Sequence, residues 1–427
     1  MFQEIIKKIL FTKNYIFTFF ASVCFYYFLW FVNPSNKIIV VLFTILLVIF
    51  YVRLKDFKSS LLITYFVSMV IFTGKTYYIQ LIPAGLYPEQ FYPNGYVVPL
   101  IISYRHILAF FLLIILSRDL YISKFKIIVF STIDIILIGY YIWIFISDIF
   151  ASYNPGISFL FSLTSLDVLI LYFYIRAYYV RNLTVIRILL WVFVAITLFQ
   201  STVAFQQFLN NSPVFKNIEH QVDFTEFGLA VDELKFRFRP LGTFPHANIL
   251  ASWLSFFLSL LLIQLLKKRD YFLLTVFVIG DLVLVMSLSR SAWIGTILSI
   301  ILIYFFCRSR GIKLPTYLTK HLLGMTMLFI TLFIFFILPR LQSSIYTFAE
   351  GIGGGNLRIE KTLETIDLIL QNPLLGVGTS MTVQEGIKLN PRGVFSQAPL
   401  TVHNWYLLLA SEHGIPALFF FFIFLIL

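Results

Sequence analysis

The sequence predicts an all-α polytopic membrane protein of about twelve transmembrane helices, with two long loops on its outer face, the second containing an amphipathic helix. Three observations predict this. Of 427 residues, 59% are hydrophobic and only 12% charged, whereas a soluble domain carries about a quarter charged residues. Apolar runs approaching the 17 to 25 residues that cross a ~30 Å hydrocarbon core recur along the whole chain. The Lys and Arg residues, which give a net charge of +12, are gathered into alternate connections between those runs.

The runs fall near 14–32, 38–52, 59–74, 97–117, 127–148, 157–175, 185–205, 246–266, 271–287, 291–306, 322–338 and 404–427. The opening "MFQEIIKKILFTK" is basic and precedes an apolar run, but no small-residue cleavage site follows, so an uncleaved first helix is expected. Segments 1–13, 53–58, 118–126, 176–187, 267–270 and 307–321 each hold three or four Lys or Arg and at most one acid. Under the positive-inside rule these connections and the N-terminus are cytoplasmic, in a multi-pass plasma-membrane protein. The basicity is therefore topological, and no nucleic-acid partner is expected. Cys24 and Cys307 sit in the first helix and at an inner helix end, and offer no disulfide framework.

The opposite, outer face then carries "NPSNK" at 33–37 and residues 75–96, 149–156, 206–245 and 339–403. Residues 75–96, "KTYYIQLIPAGLYPEQFYPNGY", are rich in Tyr and Pro and read as an interfacial loop, since aromatic residues favour that depth. Loops as long as 206–245 and 339–403 exceed what joins antiparallel helices and are expected to be functional. The domain plan is thus N-terminal transmembrane helices over 1–205, an outer loop over 206–245, central transmembrane helices over 246–338, a long outer loop over 339–403 and a final transmembrane helix over 404–427.

The first long loop ends in "KFRFRPLGTFPHANILASW". Lys235, Arg237 and Arg239 alternate with Phe236 and Phe238, as in a short strand or interfacial hairpin. Gly242, Pro245 and Asn248 then break the chain before a helix whose free N–H groups, next to an arginine, suit an anion; a basic membrane anchor is the alternative. In "SLSRSAWIG", Arg290 stands between two apolar runs. It either faces a wet cavity or an anion, or snorkels from a helix end.

In the last loop, Leu357, Ile359, Leu363, Ile366, Ile369 and Leu370 recur at helical spacing, which predicts an amphipathic helix at the outer membrane surface. Gly353–Gly355 reads as a hinge, and Asn372–Pro373 ends the helix. Arg358 either aims inward at a charged substrate or lies on the solvated face. His403 and Asn404 follow at the outer start of the final helix, where an imidazole can take a proton from a hydroxyl at neutral pH. Glu412 and His413 lie two to three turns deeper, and Gly414 and Pro416 loosen the helix beside them. Arg105 and His106 are intramembrane candidates too, with Asp134, Asp167 and Asp281 available as structural partners. His220 and His321 read as surface residues.

Four phrases in order, "RPLGTFPHAN", "SLSRSAWIG", "LRIEKTLETIDLILQNPLLGVG" and "HNWYLLLASEHGIPAL", resemble the O-antigen ligase and O-antigen polymerase family, membrane glycosyltransferases with the Wzy C domain. They cover the C-terminal half of the chain. The resemblance implies a GT-C-like architecture and an outer-face reaction in which a glycan moves from a polyprenyl diphosphate to an acceptor hydroxyl on a glycan, a lipid A core or another molecule. It implies no cofactor and no metal, in keeping with the lack of a D-x-D motif. By this resemblance Arg239 and Arg290 clamp the diphosphate, with Arg358 a third cation, and His403 orients or deprotonates the acceptor. Asn404, Asn248, His246 and Glu412 are expected to contact substrate. Two departures stand out. Pro245-His246-Ala247-Asn248 replaces a common Asn-Pro-Asn, so His246 is either a polar contact or a helix cap, and the chain stops at Leu427 where many relatives continue. Polymerase and protein O-glycosylating relatives share these motifs. A noncatalytic glycan-lipid transporter is the rival class, though the halves show no internal repeat.

Overall fold

A computed structural model describes residues 2–32, 34–71, 74–82, 96–124, 127–179, 183–212, 214, 239–244, 246–267, 270–311, 324, 354–397 and 399–427. Among these residues eight helices are long and apolar enough to cross a membrane, and Tyr271–Met286 is a shorter apolar one. Three of the expected twelve spans remain. The run at 59–74 yields a helix that ends at Ser68, the run at 97–117 begins as a strand, and 322–338 lies outside the described residues except for Gly324.

The chain divides into two compact units, Met1–Thr73 with Arg181–Ser343, and Gly74–Val180 with Ser344–Leu427. The first holds α1 (Phe2–Val32), α2 (Asn36–Leu54), α3 (Phe57–Ser68), α7 (Leu183–Asn210), α8 (Ala247–Lys267), α9 (Tyr271–Met286) and α10 (Arg290–Ser309). Its hub is α7, which packs on α1, α3, α8 and α9. Because α7 is apolar on every side it can be buried all round, and Val192, Ala195, Ile196, Phe199 and Val203 are all enclosed. Gly280 lets α9 approach closely: a methyl group there would sit 2.9 Å from Leu258 and 3.2 Å from Thr197, the small-residue contact that membrane helices favour.

The second unit holds β1 (Gly74–Ile82), β2 (Tyr96–Ser103), α4 (Tyr104–Ile122), α5 (Thr132–Phe150), α6 (Pro155–Tyr178), α11 (Gly354–Gln371), α12 (Thr382–Leu389), α13 (Val394–Gln397) and α14 (Trp405–Ile426). The two strands pair antiparallel, with Tyr77 opposite Leu100. These paired strands correct the all-α expectation and, over residues 75–82, the reading of a loop, while residues 83–95 of that reading lie outside the described residues: Thr76, Tyr77, Tyr78 and Ile79 suit a strand, and the pairing satisfies backbone that a loop would leave open. Helix α5 packs on α6 and α14, and α11 on α12, α13 and α14. Leu368, Val377, Met381, Val383, Ile387 and Phe395 form a small core between the loop elements.

Two arginines of this unit are paired with aspartates. Arg105 Nε lies 2.8 Å from Asp167 Oδ2 and Arg176 Nη2 lies 2.9 Å from Asp134 Oδ2. His106 Nδ1 accepts the Ser103 N–H at 2.9 Å and caps α4. The Arg105–His106 pair thus takes the structural role that the available aspartates allow.

Candidate functional site

In the first unit the loop that carries Arg239 is held by two buried glutamines of α7. Gln207 Oε1 accepts the N–H groups of Leu241 and Gly242, at 3.0 and 2.9 Å, while its amide donates to the Gly242 carbonyl. Gln200 Oε1 accepts the Thr243 N–H at 2.9 Å, and its amide donates to the Thr243 hydroxyl. Backbone polar groups inside a membrane body need such partners. The glutamines therefore fix where Pro240 and Arg239 stand.

Arg239 donates to the carbonyl of Ser287 through Nε (3.0 Å) and Nη2 (2.9 Å), and from Nη2 to Asn248 Oδ1 (2.9 Å). It joins the start of α8 to the turn after α9. Ser287 caps α9 and Leu288 adopts a left-handed φ of 53°, so the chain reverses at once into α10, whose first residue is Arg290. The sequence-predicted trio Arg239, Asn248 and Arg290 is thus brought to one connection, while the Arg290 side chain lies outside the described residues, as do Lys235–Phe238. His246 Nδ1 accepts the Asn248 N–H at 2.9 Å, which favours the cap over the substrate contact.

In the second unit, α14 is a broken helix. Gly414 has φ 76° and ψ 174°, and Pro416 has no N–H to give. The break strips the carbonyls of Ser411, Glu412 and His413 of their helical partners. Each is recovered from elsewhere: Val377 N–H donates to Ser411 (2.9 Å), Gly378 N–H to Glu412 (2.8 Å) and the Trp143 indole to His413 (2.9 Å). The freed Ile415 N–H donates to the Pro373 carbonyl at 2.8 Å. The segment after α11 is therefore laced along the broken turn.

Carboxylates tighten this lacing. Asp148, fully buried at the end of α5, accepts the Thr379 N–H and hydroxyl at 2.8 Å each. Glu412 Oε1 accepts the Ser380 N–H at 2.9 Å. Glu412, expected to touch substrate, thus spends one oxygen on the loop. Buried His413 sits among Ser147, Thr379 and Asp148, its Nδ1 3.2 Å from Ser147 Oγ. Sequence reading missed Asp148 and Thr379, because their pairing spans 231 residues and no local pattern announces it.

His403 and Asn404 precede the first turn of α14. Asn404 caps α14, its Oδ1 accepting the N–H groups of Tyr406 and Leu407 at 3.0 and 3.3 Å. Its oxygen is engaged as a cap rather than offered to a substrate. His403 is exposed, and partial desolvation of its ring, followed by the nearby Arg358 and Lys361 charges, holds its pKa below the ordinary value. That direction favours the neutral ring, the form that accepts a proton.

Helix α11 supplies those charges. Arg358, Lys361, Thr365 and Leu368 recur at intervals of 3, 4 and 3 residues, which is one helical face, and Lys361, Thr365 and Leu368 are buried along it. Ile359, Leu363, Ile366 and Leu370 form another face and are exposed. This phasing puts Arg358 on the inward stripe, at its open end. Lys361 was legible in that spacing.

The O-antigen ligase family model matches residues 272–422. This part of the chain is similar to an O-antigen ligase domain. The O-antigen ligase match contains Arg290, Arg358, His403, Asn404 and Glu412, and it leaves out the Arg239–Asn248 loop. No match was found among curated proteins or solved structures.

Proposed function

We propose that the protein is a membrane glycosyltransferase that moves a glycan from a polyprenyl-diphosphate carrier to an acceptor hydroxyl on the outer face of the plasma membrane, in the manner of an O-antigen ligase. The reading is carried by the exposed imidazole of His403 next to the cap of α14, whose pKa is lowered by desolvation and by the charges of Arg358 and Lys361 of α11. This is the arrangement that proton removal next to a developing anion requires.

In the reaction, the acceptor oxygen attacks the anomeric carbon as its proton passes to His403. The bond from that carbon to the diphosphate oxygen breaks, and the lipid diphosphate leaves with the electron pair. Its charge needs cations that can bond two oxygens at once, which suits guanidinium groups. Arg290 and Arg239 are assigned that task, with Arg358 beside the base. Asn248 fixes Arg239, and Glu412 fixes the segment laced along the broken turn of α14.

The test is transfer by purified protein in detergent, from a polyprenyl-diphosphate glycan to a panel comprising lipid A core, repeat-unit glycan and protein acceptors. Transfer that disappears in His403→Ala and Arg290→Ala supports the reading, and the acceptor used separates ligase, polymerase and protein glycosylation. Translocation of the donor across vesicles without transfer to any acceptor would replace it with the transporter class.

A further inference from the structure

The two aromatic residues that open α14 pack against residues sixteen positions further along the same helix. The ring centroids of Trp405 and Phe421 lie 4.6 Å apart, edge to face, and the Tyr406 and Phe422 rings stack at 5.6 Å with an interplanar angle of 18°. A continuous helix rises 1.5 Å per residue, so residues sixteen apart would stand roughly 24 Å from each other. The break at Gly414 therefore turns the second half of α14 back beside the first. Helix α5 marks the course of that second half. The Phe420 ring lies 3.4 Å from where a Cβ of Gly139 would be, while Ser147, about two turns further along α5, donates to the Glu412 carbonyl at 3.0 Å.

The fold-back braces Trp405 and Tyr406 against other rings and still leaves them 47% and 46% exposed. They follow His403 by two and three residues, so their Cα atoms lie within about 8 and 11 Å of its own. Rings that serve only as interfacial anchors need no fixed plane, whereas these have theirs set by Phe421 and Phe422. An aromatic plane takes the C–H face of a sugar ring through apolar and weak C–H contacts. That grip leaves the hydroxyls at the sugar's rim free. One of them must reach His403 if its proton is to be removed, and the indole N–H and phenol O–H can bond its neighbours.

We infer that Trp405 and Tyr406 form a stacking platform that binds a sugar ring of the acceptor and presents its hydroxyl to His403. This rests on the transfer reading above, adds two specificity-determining residues to it and narrows the acceptor to a glycan. Phe421 and Phe422 hold the platform in place across the broken helix.

The test is transfer by the full-length protein in nanodiscs, from a polyprenyl-diphosphate glycan to lipid A core, to a repeat-unit glycan and to a protein acceptor. Trp405→Leu and Tyr406→Leu are each expected to raise KM for the glycan acceptor about 3–10-fold, the range of one aromatic stacking contact. Donor KM, and kcat at saturating acceptor, should hold. Trp405→Phe should recover most of the loss. In the wild type, the glycan acceptor that is used should shield Trp405 from oxidation by N-bromosuccinimide, read by mass spectrometry of its peptide, and sugar-free polyprenyl diphosphate should not. That measurement needs no variant to fold. Unchanged acceptor KM in Trp405→Leu, or a Trp405 that the glycan leaves unshielded, overturns the inference. A donor KM that rises in step with the acceptor KM gives the rings a structural role and overturns it as well. Wild type that transfers to the protein acceptor alone overturns it while leaving the transfer reading intact. Wild type that transfers to no acceptor overturns both.

Discussion

The N–H of Ile415 donates to the carbonyl of Pro373 at 2.8 Å, tying the broken turn of α14 to the segment that follows α11. The bond exists because Gly414 leaves the helix. A side chain at Gly414 would have to tolerate a φ of 76° and would place its Cβ 2.0 Å from the Leu374 carbonyl oxygen. Gly414→Ala is therefore expected to destabilise the second unit by about 1–3 kcal/mol or more, the cost of left-handed strain with a backbone clash added. Gly376→Ala, with φ 65° and a Cβ 2.4 Å from the Glu412 backbone carbon, should behave alike, whereas Gly156→Ala meets nothing within 4 Å. Thermal unfolding in detergent checks this; equal midpoints for all three variants would refute the lacing as a stabilising element.

The second prediction concerns Gln207. Replacement by Leu leaves two backbone N–H groups and one carbonyl of the 241–242 turn without their partners. Each unsatisfied buried group costs about 1–3 kcal/mol. Gln207→Leu should lower the unfolding midpoint, and by loosening the loop that positions Arg239 it should weaken donor binding more than acceptor binding. Gln207→Glu keeps the acceptor and is expected to retain the N–H bonds while losing the one to Gly242. Donor affinity unchanged in Gln207→Leu would detach this loop from the site.

Much of the helical framework was legible because hydrocarbon demands it. Near 36–54, 132–150, 155–178, 247–267 and 405–426 the apolar runs and the helices coincide to within a few residues, since about 20 residues must cover the core. The hairpin was not, because Thr76–Ile79 and Val97–Ile102 are apolar enough to pass for the approach to a span. Gly414 and Pro416 announced a break in α14, but not what would cover it: the partners Pro373, Val377 and Gly378 belong to a distant segment. His403 and Arg358 were singled out from position and motif. Asn404 and His246 were expected to contact substrate, and the structure gives both the work of capping. Lys361 was overlooked because attention to the apolar stripe of α11 left its inward stripe unread.

The third prediction follows from the charge around His403. A lowered pKa means that the ring stays neutral as pH falls through the ordinary value of about 6.5. Transfer should accordingly hold down to that pH and decline only below it. Lys361→Met removes one of the charges responsible, so the acidic limb of its residual activity should move up toward 6.5. The unfolded ring takes its proton before the folded one, so the contribution of His403 to stability is lost as pH falls across the same interval. His403→Ala should reduce transfer about 10²–10⁴-fold, the range for a general base. A wild-type limb centred above 6.5 would contradict the arrangement, as would a limb that ignores Lys361.

The last prediction places α11 against lipid. Its inward stripe of Lys361, Thr365 and Leu368 is buried, while Ile359, Leu363, Ile366 and Leu370 are exposed, Leu370 at 71%. Four large apolar side chains in a row on an 18-residue helix would cost roughly 1.5–3 kcal/mol each if they were left in water. A helix that faces its cations inward and its aliphatic stripe outward gains from lying in the membrane interface with that stripe in the acyl region. Substituting Trp at Leu363 or Leu370 should give fluorescence quenched by brominated lipids. Trp in place of exposed Glu360, about a quarter turn from the centre of that stripe, should be quenched less. Equal quenching at Leu370 and Glu360 would mean that α11 has no preferred face toward the bilayer, and would require another partner for its stripe.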